Sequence, residues 1–363
     1  MASPSRPAGL RWRLAADEPD ALFPDETAVA RRVGTGAYQG LEFLEVQSRS
    51  IVNTVPAESR VPFRHTINAY RGCTHACVYC FARPTHEYLG LGIGRDFETK
   101  IVVKVNAVER LEAELRAPTW NGEPIAMGTN TDPYQAAEGK YHLTQRIIDV
   151  LGEARNPFSI LTKSTLVLRD LRRLEAAAAR TEVRLDLSIG TLDRDVWRLT
   201  EPGAPPPEQR VAAVRRLNEA GIPCGVLVAP ILPGLSDGDD QLKAVVEAVV
   251  EAGAVSVALV ALHLRPGVRE HFLSWLDGAR PDLAVEYRRR FRRAYQPGQE
   301  IDGLRRRVRA LAEAARPAPG EAERLGPRGF GHQLAARRKD APGADDVARH
   351  PSAQGAPRQL RLL

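Results

Sequence analysis

Three of the chain's four cysteines fall in one stretch, NAYRGCTHACVYCFARPTHEYLG (residues 68–90), as Cys73, Cys77 and Cys80. Their spacing, C-x3-C-x2-C, brings three thiols together in a single short loop. Three thiolates can hold a metal ion or an iron–sulfur cluster, yet they fall one short of a closed four-ligand structural site. Two chemistries answer that description. His75 or His86 could complete a Cys3His zinc site. Alternatively, three cysteines on a four-iron cluster leave one iron with an open coordination position where a ligand binds directly. A solitary redox cysteine would need no such neighbours. The fourth thiol, Cys224, opens an expected strand and reads as a small buried hydrophobe.

Such a loop needs a scaffold, and the surrounding pattern supplies one. Apolar runs suited to strands occur at 63–70 (FRHTINAY), 123–130, 158–163, 182–190, 224–231 and 255–264. Amphipathic runs such as VNAVERLEAELRA, HLTQRIIDVLGEAR, LVLRDLRRLEAAAAR, EQRVAAVRRLNEAG and GDDQLKAVVEAVVEAG separate most of them. Strict β/α alternation without hairpin signals predicts a parallel sheet with helices outside it. Either an open doubly wound sheet or a six-unit barrel satisfies the pattern, and in both the chemistry belongs at the C-terminal strand ends. Those ends carry the cysteines, then Thr129, Asn130, Thr131 and Asp132, then Lys163 and Ser164, then Ser188, and finally His263 and Arg265. Polar groups from nearly every strand thus meet on one face, as an enzyme pocket requires. Asp132-Pro133 also suits a tight turn, and GLGIG (90–94) is a loop that lacks the last glycine of a dinucleotide fingerprint.

With the strand context added, C-x3-C-x-aromatic-C resembles the radical S-adenosylmethionine (radical SAM) superfamily. INAYRGCTHACVYCFAR, GTNTDPYQ, LTKS, LDLSIGTLD and VAPILPGLSD are similar to the branch that contains spore photoproduct lyase and DNA-repair photolyase-like proteins. The resemblance covers roughly residues 46–270. It implies an α/β fold, an incomplete (β/α)6 TIM-like barrel open on one side for a large substrate. It also implies a [4Fe–4S] cluster on Cys73, Cys77 and Cys80, with S-adenosylmethionine bound to it and Tyr79 beside the adenine. Thr129, Asn130 and Thr131 then become candidates for the cosubstrate's amino group. Lys163 suits its carboxylate as a point charge, and Ser164 and Ser188 its carboxylate or ribose. A reductant such as flavodoxin or ferredoxin is the implied electron donor. Spore photoproduct lyases return a hydrogen atom from a cysteine beside the second-strand segment. Here that segment reads AMGTNTDPYQ, without a cysteine, so efficient repair of that lesion is not expected.

Composition bounds the rest. The chain has 363 residues, 51 Lys/Arg against 45 Asp/Glu, and no run of apolar residues long enough to span a membrane. The N-terminal stretch has no apolar signal core, and few unevenly spaced cysteines suit a reducing cytoplasm. The expected organisation is a loosely structured extension (1–45), a core (46–270), C-terminal helices (271–316) and a disordered basic tail (317–363). That tail carries eight Arg/Lys against five Asp/Glu. In EYRRRFRRAY (286–295) arginines interleave with Tyr287, Phe291 and Tyr295 at helical spacing. Docking of that aromatic face on the barrel is the plain reading, and phosphate contact by the arginines is the sharper one. Nucleic acid is accordingly the candidate substrate. The competing class is a non-catalytic metal- or Fe–S-containing nucleic-acid-binding protein, which would need no cosubstrate pocket.

Overall fold

The computed structural model describes residues 30–316 apart from 57 and 60. Eleven strands occur there: β1 (Ala30–Val33), β2 (Glu42–Val46), β3 (Val52–Thr54), β4 (His65–Ile67), β5 (Tyr70–Arg71), β6 (Lys100–Lys104), β7 (Ile125–Met127), β8 (Phe158–Thr162), β9 (Val183–Ser188), β10 (Cys224–Ile231) and β11 (Val257–Ala261). All six expected strands are present. They line up as β4-β7-β8-β9-β10-β11, each parallel to the next, with β3 antiparallel on the β4 edge. A parallel sheet laid down in chain order winds in one direction, which selects a barrel over a doubly wound sheet. Among the described residues β11 pairs only with β10 and β3 only with β4, so the barrel is incomplete.

In β8 and β9 buried residues alternate with half-buried ones, so one face of the sheet carries the core that meets the helices. Helix Leu143–Glu153 buries Leu143, Ile147, Ile148 and Leu151, and helix Asp239–Glu251 buries Leu242, Val245, Val246 and Val249. Each set recurs at three and four residues, the stripe that docks a helix on a sheet. At about 0.8 kcal/mol per buried methylene, these stripes are a major part of what holds the helices down.

Three features differ from the sequence expectation. FRHTINAY is not one strand: the chain leaves β4 at Asn68 and enters β5 in a second sheet of order β1-β2-β6-β5. That sheet draws β1 and β2 from the stretch expected to be loosely structured, because Glu42–Val46 pairs in register with Lys100–Lys104. Thirdly, only part of the aromatic face expected to dock on the barrel does so. Phe272, Leu276, Tyr287 and Phe291 share one apolar cluster with Cys77, Val78 and Tyr79 of the cysteine loop. Within EYRRRFRRAY the helix ends at Arg290, so Tyr287 and Phe291 enter that cluster while Tyr295 lies outside the helix. The expected tail at 317–363 lies outside the described residues.

Candidate active site

The cysteine loop leaves β5 through Gly72, whose positive φ of 79° suits glycine and whose missing Cβ lets the backbone pass His86 and Phe97. Successive turns follow, with Ala76 N–H donating to the Cys73 carbonyl and Cys80 N–H to that of Cys77. Such a loop exposes many backbone groups, and Arg83 satisfies much of this need. Fully buried, its guanidinium donates to the carbonyls of Cys77 (2.9 and 3.0 Å), Ala76 (3.1 Å), Ile93 (3.0 Å) and Gly94 (3.3 Å). It also pairs with Glu98 at 2.6 Å and lies over the Phe97 ring.

Cys73 and Cys77 are buried, and Cys80 is half-buried. Burial raises the pKa of all three thiols, that of Cys77 to about 12, and the Asp132 carboxylate raises that of Cys73 further. Desolvated thiols so close together become thiolates when cations compensate the charge, which is what metal ligation provides. The donor set therefore fits an iron–sulfur cluster. The Cys3His alternative fits less well, since both histidines are engaged. His75 Nδ1 lies 3.3 Å from Asp132, and His86 Nε2 donates to the Lys100 carbonyl. Among the described residues no three Cys, His, Asp or Glu side chains converge as a single-ion site demands.

Beside the thiols lies a buried polar cluster. Lys163 follows β8 and Ser188 ends β9; because Thr162 faces Leu187 in the register, the two next residues meet. Lys163 Nζ donates to Ser188 Oγ, lies 3.4 Å from Glu201 Oε1 and 5.8 Å over the Tyr79 ring. Ser188 Oγ donates to the Ala229 carbonyl of β10. Tyr79 OH donates to Glu201, whose other oxygen lies 2.5 Å from Arg210 Nη2 without hydrogen-bond alignment. Arg210 Nη1 donates to the Ser188 carbonyl and Nε to that of Pro205. Burial alone would raise the Glu201 pKa, but Arg210, Lys163 and the Tyr79 hydroxyl overcome it and hold the carboxyl at about 2. Glu201 is thus a carboxylate at any physiological pH.

The remaining candidates brace the loop. Thr129 Oγ1 and Asn130 N–H bond the side chain of Asn68. Thr131 Oγ1 donates to the Gly72 carbonyl, and Gln135 Nε2 donates to the same oxygen. Asp132 accepts from Tyr134 N–H, so the tight turn is real. It also accepts from Thr162 Oγ1 and Lys163 N–H and pairs with His75, which ties three segments together. Ser164 is not brought into the polar cluster: its Oγ accepts from Leu166 N–H and caps the following helical turn. His263 and Arg265 stand apart, near Tyr295. Cys224 is buried at the start of β10, the end opposite to the site.

The sequence marks EPGAPPP (201–207) as a proline-rich loop but gives no role to its Glu201 or to Arg210 on the helix that follows, Pro207–Glu219. This loop clasps the cysteine loop: Val78 N–H donates to the Thr200 carbonyl and Gly203 N–H to that of His75. The only signals were an acidic residue before a proline-rich turn and an arginine at an apolar helix position.

Comparison with known proteins agrees with this geometry. A model of the radical SAM superfamily matches residues 67–247. An uncharacterized protein of Mycobacterium tuberculosis is 42% identical over 329 residues, covering 86% of this chain and 97% of its own. The chain belongs to the radical SAM superfamily. Membership implies an iron–sulfur cluster and S-adenosylmethionine as cofactors. The radical SAM Nα-GlyT isomerase of Pseudomonas phage M6 is 26% identical over 172 residues, 46% of this chain and 33% of its own. Spore photoproduct lyase complexed with dinucleoside spore photoproduct shares the fold at a TM-score of 0.57 and 18% identity, covering 76% of this chain and 80% of that one. No helix among the described residues is long and apolar enough to cross a membrane.

Two outcomes test the clasp and the charge cluster. A Cβ on Gly203 would sit 2.1 Å from the Thr74 carbonyl oxygen. Gly203→Ala should therefore cost about 1–3 kcal/mol, the range for overpacking, and lower the iron retained per chain, measured by thermal unfolding and metal analysis. Glu201→Gln strands two buried cations and should destabilise the metal-free protein by about 3 kcal/mol at neutral pH. The Glu201 pKa is about 2 when folded against an ordinary 4.5, so its contribution is complete above about 4.5 and lost as pH falls towards 2. Urea unfolding at stepped pH should show the wild-type advantage shrinking over that interval.

Proposed function

We propose that this enzyme reductively cleaves S-adenosylmethionine at a [4Fe–4S] cluster held by Cys73, Cys77 and Cys80 and uses the resulting radical on a nucleic-acid substrate. The observation that carries this reading is the buried Tyr79–Glu201–Lys163–Ser188 cluster lying directly beside three thiols at the C-terminal strand ends. A bound cluster and cosubstrate would supply one electron to the sulfonium, breakage of the C5′–S bond, and a 5′-deoxyadenosyl radical that abstracts a substrate hydrogen.

The chain's own residues bind, orient and exclude water. Lys163 brings a cation to the cosubstrate carboxylate, and two of its present contacts, to Glu201 and the Ala229 carbonyl, are long enough to yield to a better acceptor. Glu201 and Ser188 hold that ammonium in place beforehand, which lowers the ordering cost of binding. Tyr79 offers its ring to the adenine, and half-buried Thr129 with exposed Asn130 faces the amino group. Thr131 and Ser164 position the backbone instead. The C-terminal aromatic cluster over Cys77 and Tyr79 keeps water from a reactive radical.

Nucleic acid as the substrate class is supported by the net charge of +6 and by the dinucleoside spore photoproduct named with a protein of similar fold. The second-strand segment has no cysteine, which argues for a substrate other than spore photoproduct. A one-electron donor such as flavodoxin or ferredoxin is required. A non-catalytic cluster-bearing module would have no use for a buried cation–carboxylate cluster beside the thiols.

The test is anaerobic reconstitution with iron and sulfide, then dithionite and S-adenosylmethionine. Wild type should hold about four irons per chain and form 5′-deoxyadenosine; Cys77→Ala should do neither, and Cys224→Ala both. A single tightly bound zinc, or no 5′-deoxyadenosine from iron-replete protein, would refute the proposal. Lys163→Ala should keep its iron but bind S-adenosylmethionine more weakly by roughly 1.5–3 kcal/mol, the range for a hydrogen bond to a charged group. Calorimetry reads this directly, and unchanged affinity would return Lys163 to a purely structural role.

A further inference from the structure

The rim of the site carries an arrangement that cosubstrate cleavage does not use. Phe81 directly follows the third cysteine, and His263 follows β11, the strand at the barrel's open edge. Tyr295 reaches the same place because residues beyond helix Pro281–Arg290 pair back on that edge, through a His263–Tyr295 bridge and a Leu264 N–H bond to the Ala294 carbonyl. The rings form a short row: Phe81 is tilted against His263 at 5.8 Å and 34°, and His263 stacks on Tyr295 at 5.5 Å and 19°. The outer two remain in water, Phe81 at 47% exposure and Tyr295 at 54%. Nothing in the fold requires this, since Tyr287 and Phe291 of the same segment are fully buried.

Charge follows the same division. Arg288, Arg289 and Arg290 are matched by Asp277, Glu286 and Glu300. Next to the exposed rings the matching stops. Among the described residues Arg292 and Arg293 have no carboxylate partner, and Arg265 bonds only the Tyr295 hydroxyl, at 3.0 Å. Two exposed aromatic faces with three uncompensated arginines suit a ligand that is planar in one part and anionic in the next. Single-stranded nucleic acid is such a ligand: bases stack on aromatic rings and arginines meet the phosphates.

We infer that Phe81, His263 and Tyr295 form a stacking platform for an unpaired nucleobase at the mouth of the barrel, with Arg265, Arg292 and Arg293 meeting the adjoining phosphates. The inference rests on the nucleic-acid reading above and gives it a location. Phe81 directly follows Cys80, so a base stacked on the platform lies beside the loop that would hold the cluster. An unpaired base is required because a paired one hides its faces in the duplex.

The experiment uses full-length reconstituted protein and a fluorescein-labelled single-stranded oligothymidylate, with binding followed by anisotropy across a salt series. Tyr295→Ala and Phe81→Ala should each weaken binding at least about five-fold, while Tyr295→Phe, which keeps the ring, should stay near wild type. Arg292→Gln with Arg293→Gln should flatten the plot of log affinity against log salt by about one unit or more. Binding by wild type that Tyr295→Ala leaves unchanged overturns the platform but not the nucleic-acid substrate. Tighter binding of the matching duplex, insensitive to Tyr295→Ala, does the same. No binding by wild type overturns both, while 5′-deoxyadenosine formation reports separately on the cleavage reaction.

Discussion

A loop with no regular structure can lie buried only if its backbone finds partners without water, and here one buried side chain, Arg83, provides several of them. One guanidinium meets the carbonyls on either side of Cys77 and those at Ile93 and Gly94, and its charge is balanced by Glu98. Removing such a group would leave several desolvated carbonyls together, each costly. From the other side Thr131 and Gln135 hold the Gly72 carbonyl, and the 200–204 loop clasps His75 and Val78. The three thiols are therefore held by scaffold on every side, not by the group they would bind.

The same logic governs the charges next to them. Glu201 between Arg210 and Lys163 is a buried anion with two cations, and Tyr79 adds a hydroxyl. In a low-dielectric site such pairs attract strongly but cost desolvation, so they are weak evidence for stability and stronger evidence for a fixed arrangement. Four different segments contribute to the cluster: the cysteine loop, the ends of β8 and β9, and the proline-rich loop with its helix. Their convergence makes the pocket a property of the barrel as a whole.

The C-terminal helices complete this picture. Their aromatic side chains roof the cysteine loop with Phe272, Tyr287 and Phe291, and the residues that follow bring Tyr295 to the open edge. One segment thereby packs against the cysteine loop and reaches the open edge of the barrel. The match to the mycobacterial protein covers 86% of this chain, which places helices Val268–Ala279 and Pro281–Arg290 within the shared length.

Much of this was legible in the sequence because its causes are local. Cysteine spacing is a property of one loop, so Cys73, Cys77 and Cys80 announce themselves. Alternating β and α patterns encode a parallel sheet, and strand ends put Lys163 and Ser188 on one face by register alone. The choice of barrel over doubly wound sheet came from family resemblance in the sequence and from strand order in the structure. Other features depend on residues far apart in the chain. Glu201 meets Tyr79 across more than a hundred positions, and β2 pairs with β6, more than fifty positions further along the chain. EYRRRFRRAY shows the limit most clearly: helical spacing groups Tyr287, Phe291 and Tyr295, yet the helix stops at Arg290 and Tyr295 turns back to His263. Periodicity describes a face only while the helix lasts, and here the chain beyond the helix pairs with the distant edge of the barrel.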